Sequence, residues 1–395
     1  MKIDFEKSGG QDPGELLRKE FPELKISSDV PYRELTTLGV GGVLPVLAEP
    51  EDEETLGRLL RFLRKKTIPF FILGGGSNLV GMDAPYPGVG VRLERAAFGT
   101  VRQDGEKFVC GARAMLPMVA AAAAKAALHG LSPLAGIPGS IGGAVRMNAS
   151  CRGTAIGELV DEVSGVTFDG DLWHARGAEL RWEYRSGGVP AEVVITQVVL
   201  KLAPGDADAE LAALAAERNK RRMTEPQGRS AGCVFRNASP EAPAGLLIDR
   251  CGLRGARIGG VEISEKHANY LVNASGTATE ADFLAVARLA RRTVRERFGV
   301  ELKPEVRFIS GSTEAALLAD APPAETRSGS ANGILLSVCR WLYRLTVVLA
   351  ASALGAVAAA IRKTSPSAAG MLCAGAVLLV ISEVVYYGLK RLEKK

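Results

Sequence analysis

Two glycine-rich segments carry the residues best suited to hold a phosphate-bearing ligand. The first, ILGGGSNLV, lies at 72–80 after an apolar run, and the second, LAGIPGSIGGA, lies at 134–144. Glycine has no Cβ, so backbone N–H groups can approach a phosphate closely, and hydroxyl or amide side chains can add donors. The first segment lacks the GxGxxG and GK[ST] patterns, which disfavours a standard Rossmann or P-loop site. Tight structural turns are the alternative, but two such loops favour an extended dinucleotide, held by Gly74, Gly75, Gly76, Ser77, Asn78, Gly136, Pro138, Gly139, Ser140, Gly142 and Gly143.

Three other positions have side chains suited to acid–base or nucleophilic chemistry. Cys233 lies in SAGCVFRN at 230–237, where a neighbouring arginine can lower the pKa of a thiol, although no histidine is close enough in sequence to form a Cys/His dyad. A buried, inert cysteine is the alternative. Glu305, in the strand-like run ELKPEVR at 301–307, can act as an acid or base, or can form a surface ion pair. Arg185 follows Tyr184, a pairing too common to predict a role alone.

Length and composition limit the class of protein. The 395 residues predict two or three domains, and the contents of 24% charged and 47% hydrophobic residues exclude disordered, collagenous and coiled-coil proteins. A net charge of +5 is too small over this length to indicate nucleic-acid binding. Six cysteines without a CxxC pair, and only three histidines, argue against a zinc site or a disulfide framework. They favour a reducing compartment, and the N-terminus lacks the apolar segment of a secretory signal, so we expect a cytosolic body.

Short β-rich runs alternate with helical segments in the first 309 residues. Strands are predicted at 45–48, 70–73, 88–93, 107–110 and 193–202. Helices are predicted at 53–66, 115–129, 208–222 and 280–298, the second and the last of them stopped by glycine. This mixture indicates an α+β protein with more than one sheet.

The C-terminal part of the chain has a different composition. Residues 310–333 are rich in Ser, Ala, Pro and Gly and predict a flexible linker. Residues 341–361 and 368–389 are apolar stretches of about 20 residues, long enough to cross a bilayer as helices. More basic residues flank the outer ends than the turn between them, so we expect a hairpin with both ends in the cytoplasm. A pair of buried helices in a soluble protein is the alternative.

Seven segments, in order and at compatible spacing, resemble the UDP-N-acetylenolpyruvoylglucosamine reductase family, the flavoenzymes that make UDP-N-acetylmuramate for peptidoglycan. They are TTLGVGG at 36–42, ILGGGSNLV at 72–80, LAGIPGSIGGAVRMNA at 134–149, Tyr184-Arg185, SAGCVFRN at 230–237, AGLLIDRCGLRGARIGGVEISEKHANYLVN at 244–273 and ELKPEVRFI at 301–309. The short run from Arg185 to Cys233 is similar to the second subtype of the family.

The resemblance implies an α+β fold with a two-part FAD-binding region of the vanillyl-alcohol-oxidase type and a C-terminal α+β substrate domain. It places FAD-binding subdomains at 1–95 and 96–203 and the substrate-binding domain at 204–309. The expected linker at 310–333, and the expected two transmembrane helices and basic tail at 334–395, lie outside the usual pattern of the family. The two glycine-rich loops would hold the FAD pyrophosphate and flank the isoalloxazine.

The resemblance also implies a reaction and a set of catalytic residues. In the family, NADPH reduces FAD, NADP⁺ leaves, and flavin N5 delivers hydride to the enolpyruvyl ether of the UDP-sugar. By motif match, Arg185 and Glu305 would stabilise the resulting enolate charge, and Cys233 would protonate the adjacent carbon. The best-known members have serine at that position, and a thiol is the stronger acid, so proton transfer is retained. Lys220 and Lys266 are candidates to bind the substrate phosphates, while a solvated basic face is the alternative.

The expected partners are therefore NADPH, UDP-N-acetylglucosamine enolpyruvate and, through the hairpin, the cytoplasmic face of the inner membrane. Two other functions stay open at this point. An oxidoreductase of the same FAD fold that oxidises a hydroxy acid or sugar alcohol with oxygen would turn over without NADPH. A membrane-anchored nucleotide-sugar-binding protein that had lost catalysis would bind a UDP-sugar but carry no flavin.

Overall fold

Capped, amphipathic segments form the helices of the computed structural model, which describes residues 12–318 of the chain. Before the third helix, for example, the Asp52 carboxylate accepts a hydrogen bond from the Thr55 N–H at 2.6 Å, and the leucines of that helix face the core. The helices are α1 (Pro13–Glu20), α2 (Tyr32–Leu35), α3 (Glu53–Lys65), α4 (Arg95–Phe98), α5 (Leu116–Lys125), α6 (Ile141–Arg146), α7 (Ala207–Thr224), α8 (Ala244–Arg250), α9 (Glu280–Phe298) and α10 (Gly311–Leu318).

The strands are short except in one sheet. They are β1 (Lys25–Pro31), β2 (Val43–Glu49), β3 (Phe70–Ile72), β4 (Leu79–Val80), β5 (Val89–Val91), β6 (Val101–Asp104), β7 (Lys107–Gly111), β8 (Leu128–His129), β9 (Ser150–Cys151), β10 (Thr154–Ala155), β11 (Val160–Thr167), β12 (Leu172–Arg176), β13 (Val193–Lys201), β14 (Ala203–Pro204), β15 (Ser230–Cys233), β16 (Arg257–Ile258), β17 (Val261–Ile263), β18 (Tyr270–Asn273) and β19 (Arg307–Phe308).

Two sheets in the first two thirds of the described chain share one hydrophobic core. The first has the order β1-β2-β5-β3, with β1 antiparallel to β2 and the other pairs parallel. The second is antiparallel, with the order β12-β11-β13-β7-β6. Leu59 of α3, Val119 of α5 and Val163 of β11 are fully buried in the shared core. The loops that follow β3 and precede α6 are therefore held on one packed body.

A third sheet, with the order β15-β18-β17-β16, packs against α9 over a second core. Phe235, Phe283 and Ile263 are buried there. The chain beyond this core returns to the first glycine-rich loop, because β19 pairs in parallel with β4. A second link joins Asp83 and Glu280: the Asp83 carboxylate accepts from the Glu280 N–H at 2.8 Å, and the Glu280 carboxylate accepts from the Asp83 N–H at 3.0 Å.

The predicted α+β class and most predicted elements are confirmed, with two differences. The helix predicted over 115–129 ends at Lys125, because Ala127 adopts a left-handed φ of 54° and Leu128–His129 then pairs with β14. The strand-like run at 301–307 forms a strand only at its end. Pro304 has no N–H to donate to a ladder, and it makes an isolated bridge to Phe235 instead.

The prediction of a flexible linker from residue 310 is wrong for its first part. Residues 311–318 form α10, which docks on α9 because two arginines of α9 cap its carbonyls: Arg288 donates to the Ala316 oxygen at 2.7 Å and Arg291 to the Leu317 oxygen at 2.8 Å. Every described residue belongs to one compact unit. Among residues 12–318, no helix is long and apolar enough to cross a membrane. The hairpin predicted at 334–395 lies outside the described residues.

Candidate active site

A cavity of about 710 Å³ opens where the two glycine-rich loops meet the third sheet. Its lining includes Arg185, Cys233 and Glu305, the three side chains expected to carry chemistry. They come from three distant parts of the sequence: a turn before β13, the end of β15 and the loop before β19. Of the predicted ligand-binding residues, the lining also contains Gly74, Gly75, Gly76, Ser77, Asn78, Pro138, Ser140 and Gly143.

The two glycine-rich loops pack directly against each other. A Cβ on Gly75 would lie 2.9 Å from the Gly139 Cα, closer than a real Cβ approaches backbone. Gly76 and Gly139 both have positive φ, 68° and 124°, which side-chain-bearing residues rarely adopt. Gly136 is packed under the Arg221 side chain, and a Cβ on Gly142 would lie 2.8 Å from the Ala112 Cβ. Gly136, Gly139 and Gly142 do not line the cavity, and Gly139 is the one of the three that contacts the first loop.

Backbone N–H groups, rather than the side chains of Ser77 and Asn78, are the free donors of the first loop. The Ser77 hydroxyl donates to the Pro138 carbonyl at 2.9 Å, and the Asn78 side-chain amide donates to the Glu305 carbonyl at 3.1 Å. Within residues 12–318, no protein group accepts a hydrogen bond from the N–H groups of residues 74–78. A run of unpaired N–H groups beside a cavity is a binding surface for an anion.

Arg185 and Glu305 form an ion pair in the wall of the cavity. The Arg185 Nε lies 2.6 Å from the Glu305 Oε1, and the two side chains are 17% and 14% exposed. The Arg185 Nη1 also donates to the Ser150 hydroxyl at 3.0 Å, and the guanidinium carbon lies 4.8 Å from the centre of the Tyr184 ring. Arg185 has a φ of 61°, in the turn closed by the bridge between Glu183 and Ser186. This strained position directs the guanidinium to a fixed place.

Burial raises the pKa of the Glu305 carboxyl, while Arg185 and then Arg236 oppose the increase. The backbone of Glu305 is fixed by its N–H, which donates to the Val234 carbonyl at 2.7 Å, and by the bond from Asn78 to its carbonyl. The carboxyl is therefore held at one place beside the guanidinium. Its raised pKa makes sharing a proton easier than for an exposed glutamate.

The pKa of the Cys233 thiol is raised to about 12, first by burial and then by the carboxylates of Glu305 and Glu225, against the opposing effect of Arg185 and Arg221. This is the opposite of the direction suggested by the neighbouring arginine in the sequence. The thiol is therefore neutral at physiological pH, which suits a proton donor and not a nucleophile. Cys233 is fixed at the end of β15, opposite Tyr270 of β18.

The cavity also contains a cluster that sequence reasoning did not single out. Arg221 donates to the Glu225 carboxylate through Nε at 3.0 Å and through Nη2 at 2.6 Å, and Tyr270 lies beside them, with a phenol pKa raised mainly by burial. The i, i+4 spacing of Arg221 and Glu225 at the end of a predicted helix was the available signal.

Neither candidate lysine lines the cavity. Lys220 is exposed on α7, and Lys266 is exposed while its Nζ donates to the Arg222 carbonyl at 3.2 Å. Arg221, the neighbour of Lys220 on α7, is the residue of that basic run that faces the cavity.

Comparison with known proteins gives the family. The model described as "UDP-N-acetylenolpyruvoylglucosamine reductase, C-terminal domain" matches residues 224–309, and the model described as "FAD binding domain" matches residues 44–176. A reductase of that name from Anaeromyxobacter sp. (strain Fw109-5) is 42% identical over 289 residues, which cover 72% of this chain and 89% of that protein. The chain belongs to the UDP-N-acetylenolpyruvoylglucosamine reductase family.

Other members of the reductase family agree with this assignment. The reductase from Paracoccus denitrificans (strain Pd 1222) is 44% identical over 286 residues, covering 69% of this chain and 92% of that protein. The crystal structure of the reductase from Thermus caldophilus aligns with a TM-score of 0.62 and 34% identity, covering 72% of this chain and 98% of that one. The protein is thus an FAD-dependent oxidoreductase, and the expected FAD-binding region is confirmed.

The geometry fits FAD as the cofactor of a reductase-family protein. FAD carries a diphosphate between two ring systems, so it needs donors for phosphate oxygens and room for a flat ring. The unpaired N–H groups of residues 74–78 would provide the donors, and the tight contact between Gly75 and Gly139 keeps side chains out of the space between the loops. A cavity of about 710 Å³ leaves room for a ring and a second ligand beside it.

Proposed function

We propose that this protein uses NADPH to reduce UDP-N-acetylglucosamine enolpyruvate to UDP-N-acetylmuramate, a step of peptidoglycan synthesis. The main support for the proposal is that Arg185, Glu305 and Cys233 line one cavity beside the two glycine-rich loops. Reduction of an enolpyruvyl double bond requires stabilisation of the developing negative charge and a proton donor, and Arg185, Glu305 and Cys233 can supply them. Bound FAD would supply the hydride, accepted from NADPH and transferred to the terminal enolpyruvyl carbon.

Arg185 would stabilise the negative charge that develops next to the substrate carboxylate when hydride adds. Its guanidinium is held from two sides, by Glu305 at 2.6 Å and by the Ser150 hydroxyl at 3.0 Å, so little reorganisation is needed during the reaction. Charge stabilisation by a preorganised cation in a water-poor site contributes several kcal/mol to catalysis in comparable enzymes.

Glu305 would act together with Arg185 on the same charge. Burial favours its protonated form, and the neighbouring guanidinium favours its ionised form. A carboxyl balanced in this way can share a proton with an enolate oxygen and withdraw it again.

Cys233 would protonate the carbon next to the carboxylate. Its thiol stays protonated at neutral pH because of burial and of the nearby carboxylates. As an enolate carbon gains basicity, a neutral thiol held at a fixed position can transfer its proton and later regain one from solvent.

Cations at the cavity and around its rim would bind the two phosphates of the UDP group. Arg221 lines the cavity, while Lys220 and Lys266 are exposed and would act from outside it. We therefore expect Arg221 to contribute more to substrate affinity than either lysine, because a cation that is partly shielded from water interacts more strongly.

An anaerobic absorbance experiment on the purified full chain tests the proposed function. Flavin bands should bleach when NADPH is added and return when UDP-N-acetylglucosamine enolpyruvate follows, with UDP-N-acetylglucosamine as the control that leaves the bands bleached. Bands that return only with oxygen would contradict the proposal, and so would bands that NADPH leaves unchanged.

A further inference from the structure

The Arg113 guanidinium lies behind the first glycine-rich loop, outside the cavity lining. Its Nη1 donates to the Gly74 carbonyl at 2.5 Å, and its own backbone is fixed by a bond from its N–H to the Phe98 carbonyl at 2.8 Å. The Nε is buried, and no described residue accepts a hydrogen bond from it. The side chain is therefore committed to the loop on the side away from the ligand.

Alternate carbonyls of this loop are each held by the protein. Arg113 holds the carbonyl of residue 74, the Thr37 N–H holds that of residue 76 at 3.0 Å, and the Arg307 N–H holds that of residue 78 at 2.9 Å. In a planar trans peptide, the carbonyl and the following N–H point in opposite directions. Anchoring the carbonyls of residues 74 and 76 behind the loop therefore turns the N–H groups of residues 75 and 77 to its other face, where they have no acceptor in the described protein.

The three anchors differ in one respect that can be tested. Thr37 and Arg307 act through backbone N–H groups, which a side-chain substitution leaves in place. Arg113 is the one anchor among the described residues that depends on a side chain. Burial lowers the pKa of this guanidinium, and Arg92 and Arg95 lower it further while Glu49 and Glu94 oppose them. Keeping a cation at a partly buried position has a desolvation cost, which a gain in ligand binding would offset.

We propose that Arg113 is a positioning residue for the FAD diphosphate: it orients the 74–75 peptide so that the Gly75 N–H faces the phosphate, and it adds positive charge behind the loop. The inference rests on the proposed assignment of this loop to the FAD diphosphate. Arg113 does not line the cavity, so its effect on FAD passes through the backbone of the loop and through its charge.

The test is FAD affinity, measured on the apoprotein of the full chain by quenching of flavin fluorescence. Arg113→Met should weaken FAD binding roughly tenfold or more, the effect of losing a hydrogen bond from a charged group. Arg113→Lys, which retains the charge, should recover part of the affinity. The matched control is Arg288→Met, since Arg288 also donates to a backbone carbonyl, that of Ala316, but far along the chain on α9. It should bind FAD as the wild type does.

Two readouts separate positioning from a general structural role. Thermal midpoints of the apoproteins should fall no further for Arg113→Met than for Arg288→Met, although only the first loses FAD affinity. Folded Arg113→Met protein with wild-type FAD affinity would overturn the inference, as would equal loss of affinity in both variants. If Arg113→Met does not fold, Arg113→Lys decides, because wild-type FAD affinity in that variant would show that the guanidinium bond to the Gly74 carbonyl is not required and would overturn the inference. Wild-type protein that bound no FAD would overturn the proposed function and this inference together.

Discussion

Replacing Arg185 by methionine is expected to destabilise the protein more at pH 8 than at pH 5. In the variant the Glu305 carboxyl keeps the desolvation that raises its pKa. It loses the Arg185 guanidinium, which is the largest influence lowering that pKa. The pKa of this carboxyl in the folded state then lies further above its ordinary value of 4.5. At low pH this carboxyl is protonated in both the folded and the unfolded state, and its contribution to the stability of the folded state is complete. That contribution is lost as the pH rises through the folded-state pKa.

The size of the effect follows from the exposure of the pair. Removing one partner of a fully buried ion pair costs about 3–5 kcal/mol. Here the two side chains are 17% and 14% exposed and border a cavity, so water can reach the orphaned carboxylate. We therefore expect about 2–3 kcal/mol at pH 8, below the fully buried range. At about 2 °C per kcal/mol for a protein of this size, the midpoint of thermal unfolding should fall by about 4–6 °C.

Thermal unfolding of the purified full chain, followed by circular dichroism from pH 5 to pH 8, measures this difference. Adding Glu305→Gln to the Arg185→Met variant should restore much of the loss at pH 8, because no buried carboxylate then remains to ionise. Arg181→Met is the matched control: its ion pair with Glu183 is 87% and 52% exposed and should contribute little at any pH. Two results would contradict the assignment of the effect to an ionised Glu305. One is a loss of stability in Arg185→Met that is equal at pH 5 and pH 8, and the other is a double variant no more stable than Arg185→Met at pH 8.

Two further predictions concern the thiol and the glycine loops. Because burial raises its pKa to about 12 and leaves little thiolate, Cys233 should react with iodoacetamide at pH 7.5 at least about tenfold more slowly than an unperturbed thiol. Glu305→Gln should lower the pKa of the thiol and so speed the alkylation of Cys233. Mass spectrometry of the peptide that contains Cys233 measures this rate, and equal rates in the wild type and Glu305→Gln would contradict the prediction. Gly75→Ala should weaken FAD binding about tenfold by pushing on Gly139. Gly311→Ala, where a Cβ meets open space, should not, and equal affinity of the two variants in a flavin titration would contradict the packing argument.

The glycine loops could be predicted from the sequence because their constraint is local. Positive φ and close backbone approach leave glycine as the residue that fits, so a GGG run marks the place. The roles of Ser77 and Asn78 could not be predicted in the same way. Their acceptors, the carbonyls of Pro138 and Glu305, lie 61 and 227 residues away in sequence. Side chains that looked free to bind phosphate are used to join parts of the fold.

The electrostatics of the site were the least predictable part. A nearby arginine in SAGCVFRN suggested a lowered thiol pKa, but β15 places Cys233 half-buried beside two carboxylates, and desolvation decides the direction of the pKa shift. The choice of Lys220 over Arg221 was similarly undetermined, because adjacent helical residues point about 100° apart and the sequence alone does not show which one faces the cavity. The start of the predicted linker proved helical because Arg288 and Arg291 cap its carbonyls from a distant helix.

Anaerobic stopped flow on Cys233→Ala, with the two half-reactions measured separately, tests whether the Cys233 thiol donates the proton to the substrate carbon. We predict that NADPH reduces the flavin of Cys233→Ala at nearly the wild-type rate, because the thiol plays no part in that step. Reoxidation by UDP-N-acetylglucosamine enolpyruvate should be slower by a factor of about 10²–10⁴, the usual contribution of a general acid. Cys233→Ser, which retains a proton donor, should have a reoxidation rate between those of the wild type and Cys233→Ala. Equal slowing of both half-reactions, or wild-type reoxidation in Cys233→Ala, would contradict the assignment of the proton donor.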